Sequence, residues 1–69
     1  MSIYWLYCLR DGEISRAIPI EAADDIEAVE LARLRLERID CELWCGSRMV
    51  ANVAANGAAT FANVARVTA

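Results

Sequence analysis

The sequence predicts an α+β domain of ββαββ order: a mainly antiparallel sheet with one helix packed on one face, and a possible fifth strand from the C-terminal tail. Three observations carry this. One amphipathic segment, Asp24 to Ile39, is flanked by two pairs of short apolar runs, and tight-turn residues, Asp11-Gly12 and Gly46-Ser47, divide each pair. The chain of 69 residues fits one domain, in the size range where burial on folding is incomplete. Its 58% apolar content exceeds what one small core needs, which points to a surface shared with another chain.

Ile3 to Leu9 is apolar on both alternating faces, Ile3-Trp5-Tyr7-Leu9 and Tyr4-Leu6-Cys8, and reads as an inner strand. After Asp11-Gly12 the run Ile14 to Ile20 returns, with Ile14, Ile18 and Ile20 expected on one side. Pro19 lacks a ladder donor, so this second strand is expected to run along an edge or to stop near that residue.

Asp24 with Glu27 three residues on forms a capping box, and a helix is expected from there to Ile39. Ala28, Val29, Ala32, Leu36 and Ile39 would make its buried face, and Arg33 with Glu37 an i,i+4 ion pair. Leu34 falls among the glutamates, more apolar surface than a solvated helix back requires. Cys41, Leu43 and Cys45 then alternate with Glu42 and Trp44, and Gly46-Ser47 turns the chain toward Met49 to Val53, with Cys45 set near Arg48.

Beyond residue 49 the only charge is Arg66, alanine fills eight of the last 21 positions, and Ala-Asn-Val-Ala occurs at 51–54 and again at 62–65. The division expected is a single α+β domain over 1–55 and an alanine-rich hairpin arm or docked tail over 56–69. Asn56-Gly57 signals a hairpin, with residues 58–67 returning as a fifth strand, although the alanine content also suits a short helix. Phe61, Val64 and Val67 need shelter that a free tail lacks.

Seven arginines face ten acids, with no lysine or histidine, for a net charge of −3. A duplex nucleic-acid backbone is a poor partner for such a chain, and imidazole is missing as base, shuttle or ligand. The cysteines Cys8, Cys41 and Cys45 are odd in number, and Arg10 follows the first apolar run instead of preceding it, an order unlike a secretory signal. With no apolar run near the roughly 20 residues of a membrane span, the expectation is a soluble protein of a reducing cytoplasm.

No constellation points to a catalytic centre, a metal or another cofactor. Structural zinc wants four ligands, and the three thiols have neither a fourth cysteine nor a histidine to join them. If residues 41–45 are a strand, Cys41 and Cys45 share a face that Cys8 can approach, as buried free thiols do when they act as small hydrophobes. Glu21, Asp24, Asp25, Glu27 and Glu30 crowd the helix start, where the backbone dipole favours them.

The runs Tyr4-Trp5-Leu6-Tyr7 and Leu9-Arg10-Asp11-Gly12, the helix start Ala23-Asp24-Asp25-Ile26-Glu27-Ala28 and the segment from Glu42 to Arg48 resemble small bacterial proteins of unknown function common in alphaproteobacteria. The resemblance spans residues 3–54 and implies a ββαββ domain of a bacterial cytoplasm; it implies no functional residue.

The functional expectation is protein–protein contact through an uncovered sheet face, with self-association into a homodimer and an interface drawn from Trp5, Tyr7, Leu34, Trp44 and Phe61. A second protein partner is the variant of this reading. One alternative is a nucleic-acid-binding module using Arg10, Arg16 and Arg48 beside the strand aromatics; another is a small thiol enzyme joining Cys41 or Cys45 to Asp40 or Glu42.

Overall fold

The computed structural model describes residues 1–62. Five strands, β1 (Ser2–Arg10), β2 (Glu13–Ala22), β3 (Cys41–Cys45), β4 (Arg48–Val53) and β5 (Ala59–Phe61), form one antiparallel sheet in the order β2-β1-β3-β4-β5. The single helix, α1 (Asp25–Arg33), lies across one face. The ββαββ order and a fifth strand are therefore present; the part of the expected tail strand beyond Ala62 lies outside the described residues.

β1 is an inner strand between β2 and β3, and β2 is an edge, as their compositions predict. The Leu9 amide donates to the Asp40 carbonyl at 2.9 Å, so odd-numbered residues of β1 direct their backbone groups toward β3 and even-numbered ones toward β2. Pro19, opposite Trp5, consequently turns its nitrogen to the free edge, where no ladder donor is lost.

Each turn uses a different solution. Asp11 and Gly12 both have positive φ (54° and 81°), the requirement of a type I′ hairpin. At the second hairpin only Gly46 is positive, at 61°, with Cys45 and Arg48 paired across it as expected. At the third, the Ala54 carbonyl accepts from the Gly57 amide and the Ala54 amide donates to the Ala58 carbonyl, both at 2.8 Å, with Gly57 at φ 94°. That is a type I turn closed by a glycine bulge, and it returns β5 onto β4.

Two expectations are corrected. A register shift between Cys8 and Leu9 leaves Ser15 unpaired, its hydroxyl donating to the Cys8 carbonyl, so Ile14 pairs with Leu9 on the face opposite Ile18 and Ile20 and is 60% exposed. The helix also stops at Arg33, not Ile39. The amides of Leu34 and Arg35 bond three residues back, to Leu31 and Ala32, and Arg38 takes a positive φ of 65°. Continuing to Ile39 would carry the chain about 9 Å further along the helix axis, whereas Asp40 is pinned beside Leu9 at the start of β3. Leu36 and Ile39 pack against the core from this connection, and Glu37 pairs with Arg16 while Arg33 pairs with Glu30, in place of the expected Arg33–Glu37 pair.

The capping box forms with its return bond displaced by one residue, to Ala23 instead of the cap residue Asp24. Asp24 Oδ1 accepts from the Glu27 amide at 2.8 Å, and Glu27 Oε1 reaches back to the Ala23 amide at 2.6 Å. The core between helix and sheet holds Tyr4, Leu6 and Cys8 of β1, Ile20 and Ala22 of β2, Ala28, Val29 and Ala32 of α1, and Cys41, Leu43, Val50, Ala51 and Val53. Val50 and Ala51 are both inward because β4 carries a bulge opposite Leu43 and Trp44.

Candidate functional site: the open face of the sheet

Strand alternation assigns what sequence left open. Tyr4, Leu6 and Cys8 lie under the helix, so Ile3, Trp5, Tyr7 and Leu9 belong to the opposite face, which no described element covers. Trp5 pairs directly with Trp44 across β1 and β3, with Pro19 on its other side. Tyr7 lies opposite Glu42, Met49 opposite Trp44, and Ile14 opposite Leu9. The result is a platform with two indoles at its centre and aliphatic side chains toward both ends. Ile3 and Trp5 remain 49% and 37% exposed.

The Trp44 indole is held in place, its Nε1 donating to Glu42 Oε1 at 3.1 Å. Of the five residues expected at an interface, Trp5, Tyr7 and Trp44 meet on this face and the other two do not. Leu34 caps the helix C-terminus, 80% exposed, and Phe61 pairs with Ala51 and packs against the helix-side core. Ile3 lies on this face with Trp5 and Tyr7, as their alternation groups them; the contributions of Pro19 and Met49 were missed, and for Met49 the signal was the turn length, which sets it opposite Trp44.

Charge is divided between the two sides of the sheet. Arg16 pairs with Glu37, and Arg10 is near enough to help hold that carboxylate below its usual range, behind the larger effect of Arg16. Arg48 grips Asp25 with two hydrogen bonds of 2.9 and 3.1 Å, and Arg33, Arg35 and Arg38 lie on the helix and the connection after it. The open face carries Glu21 and Glu42 and, among the described residues, no arginine.

On the helix side, Asp25 also accepts the Tyr4 hydroxyl at 2.7 Å. The Arg48 contact lowers the Asp25 pKa against the opposing effect of burial, while burial and then the Asp25 hydrogen bond push Tyr4 up to about 12. Because the folded Tyr4 pKa lies above the ordinary value of 10.0, its contribution is complete below about pH 10 and is lost as pH rises toward 12. Asp25, lowered, contributes above the ordinary carboxylate range and loses that contribution under acid. Urea midpoints should therefore fall between pH 10 and 12 in the native protein, and Tyr4→Phe should show a shallower fall in that window.

The thiols separate into a pair and a single group. Cys8 and Cys41 are register partners on β1 and β3, both buried, with Cys41 Sγ donating to Cys8 Sγ at 3.2 Å. Burial and the Cys8 contact push Cys41 up to about 12, the reverse of an activated nucleophile. Cys41 and Asp40 do border a common hollow of about 380 Å³, but the Asp40 carboxylate accepts the Ala55 amide at 2.9 Å. Cys45 is only half-buried, unlike the expectation that all three thiols are sheltered. Iodoacetamide near neutral pH should modify Cys45 first and leave Cys8 and Cys41 at least about tenfold slower, read by intact mass and peptide mapping.

Among the described residues no cluster of three or more cysteine, aspartate or glutamate side chains is placed to hold a metal ion, and no helix is long and apolar enough to cross a membrane. Compared with known proteins, the chain matches no family model, no curated protein and no solved structure. The open face is thus interpreted from its own geometry.

Proposed function

We propose that this chain is a small interaction domain of a bacterial cytoplasm that acts by protein–protein contact, and that its open sheet face pairs with the same face of a second copy. The observation that carries this reading is the Trp5–Trp44 pair at the centre of an uncovered apolar face, flanked by Ile3, Tyr7, Pro19 and Met49. Aromatic residues at the middle of a patch are the usual energetic anchors of an interface. A second copy is a suitable occupant because the patch is apolar across its centre, so stacking two sheets about a two-fold axis buries indole and aliphatic side chains of one copy against those of the other. In this reading the arm begins at residue 56, and its described part, through Ala62, lies beside β4; residues 63–69 lie outside the described residues.

The distribution of arginines supports this over nucleic-acid binding. A base-stacking platform needs cations beside its aromatics to follow the phosphates, and the described arginines occupy the helix side. Light scattering across a dilution series tests the proposal: a mass twice the 7.6 kDa of the chain, falling toward one chain on dilution, is expected. A single-chain mass at every concentration overturns it.

A further inference from the structure

We propose that Cys8 and Cys41 form an oxidation site, at which a hydroperoxide converts the buried dithiol into an intramolecular disulfide that ties β1 to β3. The argument rests on strand register. Because the Leu9 amide bonds the Asp40 carbonyl, Cys8 and Cys41 occupy a non-hydrogen-bonded position of the antiparallel pair. Cα atoms at such positions are about 4.5 Å apart, inside the range a disulfide bridges. The sulfurs already touch at 3.2 Å, so forming a bond of about 2.05 Å needs a small rotation of side chains and no rearrangement of strands.

Cys41 as a whole residue is 2% exposed, so the pair meets peroxide through brief local openings. Cys45, four residues along the same strand and paired with Arg48, has no such partner. The steps balance with hydrogen peroxide as oxidant. One sulfur attacks the peroxide O–O bond, giving a sulfenic acid and releasing one water. The second sulfur then attacks the first, forming the S–S bond and expelling the hydroxyl with its own proton as a second water. Two thiols are oxidised and one peroxide is reduced to two waters. Burial keeps the thiolate scarce, so the reaction is slow, on the scale of hours.

The bridge closes a segment of 33 positions that contains β2, α1 and the connection to β3. Restricting that loop in the unfolded chain raises stability.

The test uses the whole native protein and Cys45→Ala. After hydrogen peroxide, removal of the peroxide with catalase and alkylation under denaturing conditions, Cys45→Ala should have lost about 2 Da, the two hydrogens of one disulfide, and taken up no alkyl group. Peptide mapping should link Cys8 to Cys41 in both proteins, with Cys45 of the native protein outside the bridge whether alkylated or oxidised, and dithiothreitol should reverse the link. The melting temperature should rise by roughly 10 °C or more on oxidation. Recovery of Cys8 and Cys41 as free thiols or sulfinic acids, a bridge involving Cys45 in the native protein, or a melting temperature lowered by the Cys8–Cys41 bridge would each overturn the proposal.

Discussion

Leu43→Ala should leave most of the protein unfolded at physiological temperature. Leu43 is fully buried at the centre of the sheet, opposite Leu6 in a non-hydrogen-bonded pair that is equally buried. Truncating such a leucine costs about 2–5 kcal/mol, because the lost transfer energy is joined by that of the cavity. A chain of this length holds roughly 3–10 kcal/mol in total, so one substitution removes much of its stability. Leu34→Ala is the control: Leu34 is 80% exposed, and its loss should cost no more than about 0.5 kcal/mol. Urea titrations followed by circular dichroism, at one fixed protein concentration, compare the two; a Leu43→Ala midpoint indistinguishable from that of Leu34→Ala would contradict the core described above.

Trp5→Glu should abolish self-association while the monomer still folds. The side chain faces the uncovered side and is 37% exposed, so the substitution disturbs little beneath the sheet. In a pair of stacked faces it instead places a carboxylate among indoles, near Glu42. Loss of a central aromatic anchor costs about 2 kcal/mol or more, equivalent to roughly 30-fold in affinity. Leu34→Glu, on the helix side, should leave the dimer intact. Sedimentation equilibrium on the three proteins reads the outcome. Equal weakening by both substitutions would remove the open face from its proposed role, and weakening by Leu34→Glu alone would move the interface to the end of the helix.

The elements legible in sequence were those with local causes. Asp11-Gly12 and Gly46-Ser47 turn where their backbone demands allow, Asp24 and Glu27 cap the helix, and Pro19 marks an edge. Errors arose where distant contacts override spacing. Leu36 and Ile39 continue a helical periodicity, yet both reach the core from irregular backbone because β3 must begin beside Leu9. Ile14 departs from Ile18 and Ile20 because one unpaired serine shifts the alternation. The site was half legible for a related reason. β1 is apolar on both faces, so periodicity alone could not say whether Trp5 or Leu6 lies beneath the helix; only the packing of α1 over Tyr4, Leu6 and Cys8 decides it. Sequence allowed Cys8 to approach the face of Cys41 and Cys45, but their contact depends on strand order and register, which no local signal fixes.

The strand order has a kinetic consequence. Three of the four pairings, β1 with β2, β3 with β4 and β4 with β5, join strands that are successive in the chain and connected by short turns, whereas β1 with β3 joins positions more than thirty residues apart. Hairpins form in about 1–10 μs on their own, so the barrier to folding should lie in zipping that single seam once α1 has brought β3 back to β1. Substitutions at Leu6 or Leu43 should then slow folding, while those in β5, which joins after the barrier, should chiefly hasten unfolding. The length of the β2-to-β3 connection becomes the natural handle on folding speed, and lengthening it should slow the chain only gently, by the logarithm of the added length.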